Sequence, residues 1–363
     1  MRWTRDSPRA LPMSNSKVVL LVDWVVGDNA FWLSGLLAER GFQVATMGIP
    51  DYSMRNREVK WRKVLLWWQY LVLGYRGVRL ARRSSAIVVS WNFIPGVFAV
   101  LVSRILPKPR VRVVSLNAIA FHKGTIHDFV RGFMYRTAFA SRRLWLTVNS
   151  AEVRKLYEEQ FGFQPERVEV LHDCWTRDYE LGDPGRRDEG HIFVGGEAAR
   201  DWPLVLEVAA RRPEVRFELV ARRKDWPPAA TCPPNVHLQF DTSDKEFYGL
   251  VEGSCLVLIP LRDTMTAGLI VLMRAALLGR LVLATRTPAT EACYPAELDH
   301  LLVHTGDAIG FCTLIDALWH DDDVRVEAAR SLQDHVYESR TPHEFADRVA
   351  DLVHRVRGES TAQ

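Results

Sequence analysis

Apolar residues recur along this chain in two alternating rhythms. Short unbroken runs form the first: KVVLLVD (17–23), FQVATMG (42–48), AIVVSW (86–91), VRVVSL (111–116), LWLTVN (144–149) and VEVLHD (168–173). Each is too brief for a helix and most are rich in β-branched residues, so each predicts a buried strand. Between them lie stretches whose apolar positions return every three or four residues, the helical spacing. NAFWLSGLLAERG predicts a helix ending at Gly41, residues 59–83 a long helix, and VFAVLVSRIL a buried helix entered through the turn NFIPG. A second series repeats the pattern. HIFVGG (191–196), VRFELVA (215–221), VHLQF (236–240), CLVLIP (255–260) and LVLAT (281–285) read as strands, with helices over 203–212, 245–253 and 268–279 and a helical region from about 307 to 357. Such alternation implies mostly parallel sheets with helices on both faces.

A chain of 363 residues suits two domains. The polar stretch 175–190, bearing Gly182, Pro184, Gly185 and Gly190, separates the two series and predicts a hinge. The expected division is a disordered lead-in (1–16), an N-terminal α/β domain (17–174), the hinge, a C-terminal α/β domain (191–325) and a helical region (326–363) that packs back on the N-terminal domain. In doubly wound sheets ligands bind outside the carboxyl ends of the strands. With two such domains the natural site is the cleft between them.

Composition narrows the class. With 48% hydrophobic and 25% charged residues the chain reads as soluble and globular, and a net charge of +3 does not demand nucleic acid. Five scattered cysteines without a C-x-x-C pair indicate neither a zinc site nor a disulfide framework, and suit a reducing compartment. The polar N-terminal stretch lacks the apolar core of a secretory signal, so a cytoplasmic location is expected. Residues 86–102 are uncharged and nearly long enough to span a membrane, but Ser90, Asn92, Pro95 and Gly96 interrupt them.

Four loops at predicted strand ends carry candidate chemistry. After the first strand, Gly27 permits close backbone approach, and Asp28 or Asn29 suits a helix cap; this loop is the candidate acceptor side. After VRVVSL come Asn117, His122, Lys123, His127 and Asp128, residue types able to do acid–base work but without a compact metal-ligand spacing. After HIFVGG, the paired Gly195 and Gly196 lead to Arg200 at a helix start opened by Pro203, while Arg222, Arg223 and Lys224 follow the next strand. Fixed cations beside glycine turns and free helix amides suit a phosphate or diphosphate; a solvated basic turn is the plain alternative. The fourth loop runs through Thr266 and Ala267 to Gly268 and Leu269, where a very apolar helix begins.

FVGG, three residues, then RDW before a helix, together with TAGLIVLMRAALLGRLVLATRTPATEACYP, resembles the retaining GT-B glycosyltransferases of the family 4 kind. The segment RLWLTVNSAEVRKLYEEQFGFQPERVEVLHD is similar to that family's passage between domains. The likeness runs over most of 17–345 and is strongest from 144 to 295. It implies two Rossmann-like domains facing a central cleft. The C-terminal one would hold a nucleotide diphosphate sugar of UDP or GDP type, and the N-terminal one the acceptor. Transfer would be of the hexosyltransferase kind, with retention and with neither metal nor cofactor. By motif position Arg200 takes the place of the family's phosphate-binding lysine, and Gly268 with its neighbours would touch diphosphate or sugar. Asn117 stands near a sugar-contacting histidine, with His122 five residues on; these two are the catalytic candidates. Three positions depart from the pattern: Gly196 replaces an arginine, Asn117 the histidine, and Arg274 the ribose-binding glutamate counted back from Gly279.

Residues 59–83 combine lysine and arginine with Trp61, Trp67, Trp68, Tyr70 and Tyr75. That pattern suits peripheral contact with an anionic membrane, as on the inner face of a cell membrane, or else a core helix with solvated ends. The leading functional reading is a glycosyltransferase acting on a glycan, lipid-linked or small-molecule acceptor. The alternative, favoured by Arg274 and Asn117, is a non-catalytic relative binding nucleotide or glycan. A nucleotide-sugar epimerase is a third reading, and it would want cleft carboxylates that are not evident.

Overall fold

In the computed structural model the described residues are 16–23, 31–49, 60–107, 110–118, 126–175, 181–186, 189–196, 199–227, 230–262 and 268–358. The chain divides into two compact units, Met1–Leu171 with His343–Gln363, and His172–Pro342.

The first unit contains β1 (Lys17–Leu21), α1 (Trp32–Glu39), β2 (Gln43–Met47), α2 (Lys60–Ser84), β3 (Ile87–Ser90), α3 (Phe93–Ile105), β4 (Val113–Ser115), α4 (Ile126–Phe139), β5 (Leu144–Val148), α5 (Ala151–Phe161), β6 (Val168–Val170) and, from the chain's far end, α12 (Pro342–Gly358). Its six strands are all parallel, in the order β2-β1-β3-β4-β5-β6. Strands β3, β4 and β5 are buried throughout, which is why their sequences are unbroken apolar runs rather than alternating ones. Local signals set the helix ends. Ser150 accepts a hydrogen bond from the Val153 amide at the start of α5, and Gly162 closes that helix in the left-handed conformation.

α3 begins at Phe93, earlier than the expected turn over 92–96. Pro95 falls in the helix's first turn, where its missing amide costs no hydrogen bond, so the proline does not delay the start. On α2, Leu66, Tyr70, Leu73, Val78 and Ala81 are buried, and the Trp67 and Phe98 rings lie 5.7 Å apart. Another face exposes Val64, Leu65, Trp68 and Tyr75, with Trp68 61% exposed. α12 buries Phe345, Ala346, Val349, Leu352, Val353 and Val356. Its polar edge is tied down as well: Arg348 and Arg355 pair with Glu169, Arg357 donates to Ser16 Oγ at 2.6 Å, and Asp347 accepts from Arg40 at 2.6 Å.

The second unit contains β7 (His191–Gly195), α6 (Trp202–Arg211), β8 (Arg216–Ala221), β9 (Val236–Phe240), α7 (Asp244–Glu252), β10 (Leu256–Ile259), α8 (Leu269–Leu277), β11 (Leu281–Thr285), α9 (Pro288–Glu291), β12 (Leu302–Val303), α10 (Ala308–Trp319) and α11 (Asp322–Ser339). Its strands are also all parallel, ordered β12-β11-β10-β7-β8-β9. Renumbered within the unit, this is the 3-2-1-4-5-6 order of doubly wound dinucleotide-binding sheets.

Two expected boundaries lie elsewhere. The described parts of 175–190 are packed into the second unit: Trp175 stacks on Tyr337 at 5.3 Å, the Gly182 amide donates to Leu277 O at 2.8 Å, and the Glu189 amide to Gly253 O at 2.8 Å. Residues 326–363 do not act as one region either. α11 stays with the second unit, where Ala329, Leu332 and Val336 join the sheet's core, while α12 belongs to the first.

Candidate functional site

In the second sheet the chain turns one way from β7 to β8 and the other way to β10. The carboxyl ends of β7 and β10 therefore flank a topological switch point, where a crevice opens in folds of this kind. The loops leaving those two strands are stitched together. Arg200 and Leu261 form an antiparallel bridge, with Asp201 N donating to Pro260 O at 3.0 Å and Arg262 N to Ala199 O at 2.9 Å. Leu261 N in turn donates to Thr285 Oγ1 at 2.8 Å, at the end of β11. Asp201 caps α6 by accepting from the Leu204 amide at 3.3 Å.

The Arg200 side chain turns inward and is 2% exposed. Its Nε donates to Gly195 O at 2.8 Å. Its guanidinium lies against two glycines from different loops. A Cβ on Gly196 would stand 2.6 Å from Nη2; one on Gly268 would stand 3.0 Å from Nη1 and 2.8 Å from Ile259 Cγ2. Gly268, with φ of +83°, caps the start of α8 in the left-handed conformation. Both positions call for glycine by their positive φ, +129° at Gly196 and +83° at Gly268, and the missing side chains leave room for the buried cation. Burial pulls the guanidinium down to a pKa of about 10, which leaves it charged at neutral pH. Leu269, the first residue of α8, is buried, and the helix's first amides have no partner within the helix.

The other candidates fall at varying distances from this centre. Arg222 is half-buried, two residues beyond Val220, the register partner of Gly195; Lys224 is exposed in the turn that follows. Arg274 sits on α8 with its guanidinium carbon 3.2 Å from the centroid of the Tyr248 ring, a cation–π contact between α8 and α7. In the first unit, Asn117 adopts a positive φ of 48°, and its amide donates to Thr147 Oγ1 at 3.1 Å. Its Oδ1 is buried and meets no hydrogen-bond partner among the described residues. Gly27, Asp28, Asn29, His122, Thr266 and Ala267 lie outside the described residues. Among the described residues no group of three His, Cys, Asp or Glu side chains gathers as a metal site.

No protein-family model matches the chain, and no curated protein does. Solved structures match it over nearly its whole length. Sucrose-phosphate synthase from Thermosynechococcus elongatus aligns with a TM-score of 0.69 at 10% identity, over 95% of this chain and 100% of that one. HepE of Anabaena in complex with UDP-glucose aligns at 0.65 and 13% identity, over 93% and 99%. WaaG, a glycosyltransferase involved in lipopolysaccharide biosynthesis, aligns at 0.62 and 13% identity, over 93% and 99%. The chain has the GT-B fold.

Within this GT-B fold the first sheet has its own switch point, between β1 and β3, and it holds residues that sequence patterns did not single out. Asp23, 1% exposed just past β1, accepts from Tyr70 OH at 3.4 Å. In the same unit Phe31, Trp32, Trp91 and Phe345 cluster: Trp91 lies 5.1 Å from Phe31, 5.5 Å from Trp32 and 5.8 Å from Phe345, ring to ring. Trp32 and Trp91 are half-exposed. The four come from α12, from the start of α1 and from the end of β3, so no local pattern joins them. Position at the carboxyl end of an apolar run was the available signal for Trp91.

Proposed function

We propose that this chain is a metal-independent, retaining glycosyltransferase that moves a sugar from a nucleotide diphosphate sugar, of UDP or GDP type, to a glycan, lipid-linked or small-molecule acceptor. The observation that carries the reading is Arg200, buried beneath the turns at Gly196 and Gly268 where β7 and β10 part. A diphosphate laid on the amides at the start of α8 would lie over a fixed positive charge that needs no reorganisation as the leaving phosphate becomes more negative. Arg222, Lys224, Thr266, Ala267 and Leu269 complete the donor side of the proposal. The likeness in fold to a protein crystallised with UDP-glucose supports the same donor class. On the acceptor side the half-exposed faces of Trp32 and Trp91 suit the apolar face of a sugar ring, and Gly27, Asp28 and Asn29 are assigned to the acceptor as well. Asn117 and His122 are assigned to the reacting sugar.

Binding of the donor stabilises the folded state by mass action. UDP or GDP at a hundredfold excess over Kd is expected to add about 2.7 kcal/mol of stability and so raise the melting temperature by several degrees. A nucleotide sugar should also be slowly hydrolysed to free nucleotide. Failure of UDP, GDP, ADP and TDP alike to shift the transition would sink the donor site. A shift without any hydrolysis or transfer would favour the second reading, a nucleotide-binding partner subunit. That reading draws on Arg274, which is engaged with Tyr248 at the position where the resembling family carries its ribose-binding glutamate.

The proposal places the enzyme in the cytoplasm at the inner membrane face. Exposed Val64, Leu65, Trp68 and Tyr75 on α2, followed by Arg76, Arg79 and Arg83, suit the surface of an anionic bilayer. No described helix is long and apolar enough to cross a membrane. Flotation with phosphatidylglycerol vesicles should drop severalfold for Trp68→Glu; equal flotation of variant and parent would remove α2 from the contact.

A further inference from the structure

At the amino-terminal edge of the first sheet the starts of β4 and β5 border a recess of about 410 Å³. Trp145 and Val111 form its buried floor, and Val100 and Ser103 of α3 one wall. Arg104, Arg110, Arg112, Arg142 and Arg143 surround it, and among the described residues no carboxylate lines it. Some of these arginines meet backbone oxygen. Arg104 donates to Thr137 O in the last turn of α4, and Arg143 Nη1 donates to Arg110 O at 3.0 Å. Such contacts satisfy donors but do not cancel charge. The carboxyl ends of α3 and α4 point here and contribute about half a negative charge each, far less than the guanidinium groups supply. Like charges held around one concavity raise its potential and repel one another, and an anion relieves both. The planar fork of arginine matches phosphate oxygens two at a time.

We propose that this recess binds an anionic phosphate group. It lies at the opposite edge of the sheet from the first unit's switch point, and the inference does not rest on the donor site of the second unit. The ligand chemistry is shared by a soluble phosphorylated metabolite and by an anionic lipid headgroup. The recess is open to solvent and is lined by residues of α3, of β5 and of the segments that lead into β4 and β5.

The test uses the full chain with saturating UDP present, so that the donor site is filled. Inorganic pyrophosphate is titrated calorimetrically, and flotation is measured with vesicles of phosphatidylcholine alone or with one-third phosphatidylglycerol. Arg110 and Arg142 are exposed, so the double variant Arg110→Glu/Arg142→Glu is expected to fold with an unchanged melting temperature. It should weaken pyrophosphate binding at least about tenfold, whereas Lys155→Glu on α5 leaves it unchanged. Pyrophosphate binding lost in the double variant but kept in Trp68→Glu identifies a soluble phosphate ligand. No pyrophosphate binding, together with phosphatidylglycerol flotation that the double variant loses, identifies a lipid headgroup. Pyrophosphate binding equal in parent and double variant, or neither kind of binding in the parent, overturns the proposal.

Discussion

Arg200→Met is expected to abolish the nucleotide-induced rise in melting temperature and to cut sugar transfer by about 10²–10³-fold, the usual loss when one preorganised donor to a developing anion is removed. Methionine matches the length of the arginine stem and brings no charge, so the variant should still fold. Replacing a buried charge with an apolar side chain of similar size is often close to neutral for stability. The lost bond to Gly195 O leaves a buried carbonyl to resolvate, at about 1–3 kcal/mol. Arg200→Lys keeps the charge but not the fork that reaches both turns, and should retain a weakened nucleotide shift. Gly268→Ala tests the same centre from the other side. Its new Cβ would meet Ile259 Cγ2 at 2.8 Å at a φ of +83°, a strain of about 1–3 kcal/mol, and would push the start of α8 off the guanidinium. Both activity and nucleotide response should fall although Arg200 is intact. Calorimetry of the three variants with and without UDP decides the matter. An undiminished shift in Arg200→Met would show that the guanidinium serves the fold alone.

Deleting residues 343–363 is expected to leave the first unit unable to fold stably. α12 covers that unit with Phe345, Val349, Leu352, Val353 and Val356, each fully or almost fully buried. Burying each such side chain is worth about 1.5–3 kcal/mol, against a net stability of about 5–15 kcal/mol for a whole domain. The deletion also frees Glu169 from two arginines and Arg40 from Asp347, though exposed pairs of this kind add little. The truncated chain should be recovered insoluble or should lose the first unit's cooperative unfolding transition. Phe345→Ala offers a milder version at about 3–5 kcal/mol. It removes one ring of the cluster with Trp32 and Trp91, so it should also weaken acceptor binding. A truncated protein that melts like the parent would show that α12 is an appendage.

Most strands and helices were legible because their signals are local. A strand buried on both faces is an unbroken apolar run, and residues 87–90, 144–148, 256–259 and 281–285 are such runs, too short for a helix. Ser150, Asp201 and Ser243 each cap the helix that follows by accepting from an amide three residues on, so those helix starts also depend on local contacts. The readings that missed were those in which a local rule met a non-local partner. Pro95 and Gly96 look like a turn, yet they sit inside α3 because Gly96 packs directly on Ser115 of β4. The polar stretch 175–190 looks like a free linker, yet Gly182 is held by α8 and Trp175 by α11.

The same division runs through the candidate site. By itself the sequence determined two α/β units, the glycine turns at 195–196 and 268, and an arginine beside a helix start, since each depends on residues within one turn of one another. Only the tertiary structure decided that Arg200 points inward beneath both turns, that Arg274 stacks on Tyr248, that the final helix closes the first unit, and that five arginines ring a single recess. These outcomes depend on which strands lie side by side. Strand order is set by the summed packing of helices on two sheets, and no short window of sequence contains that sum.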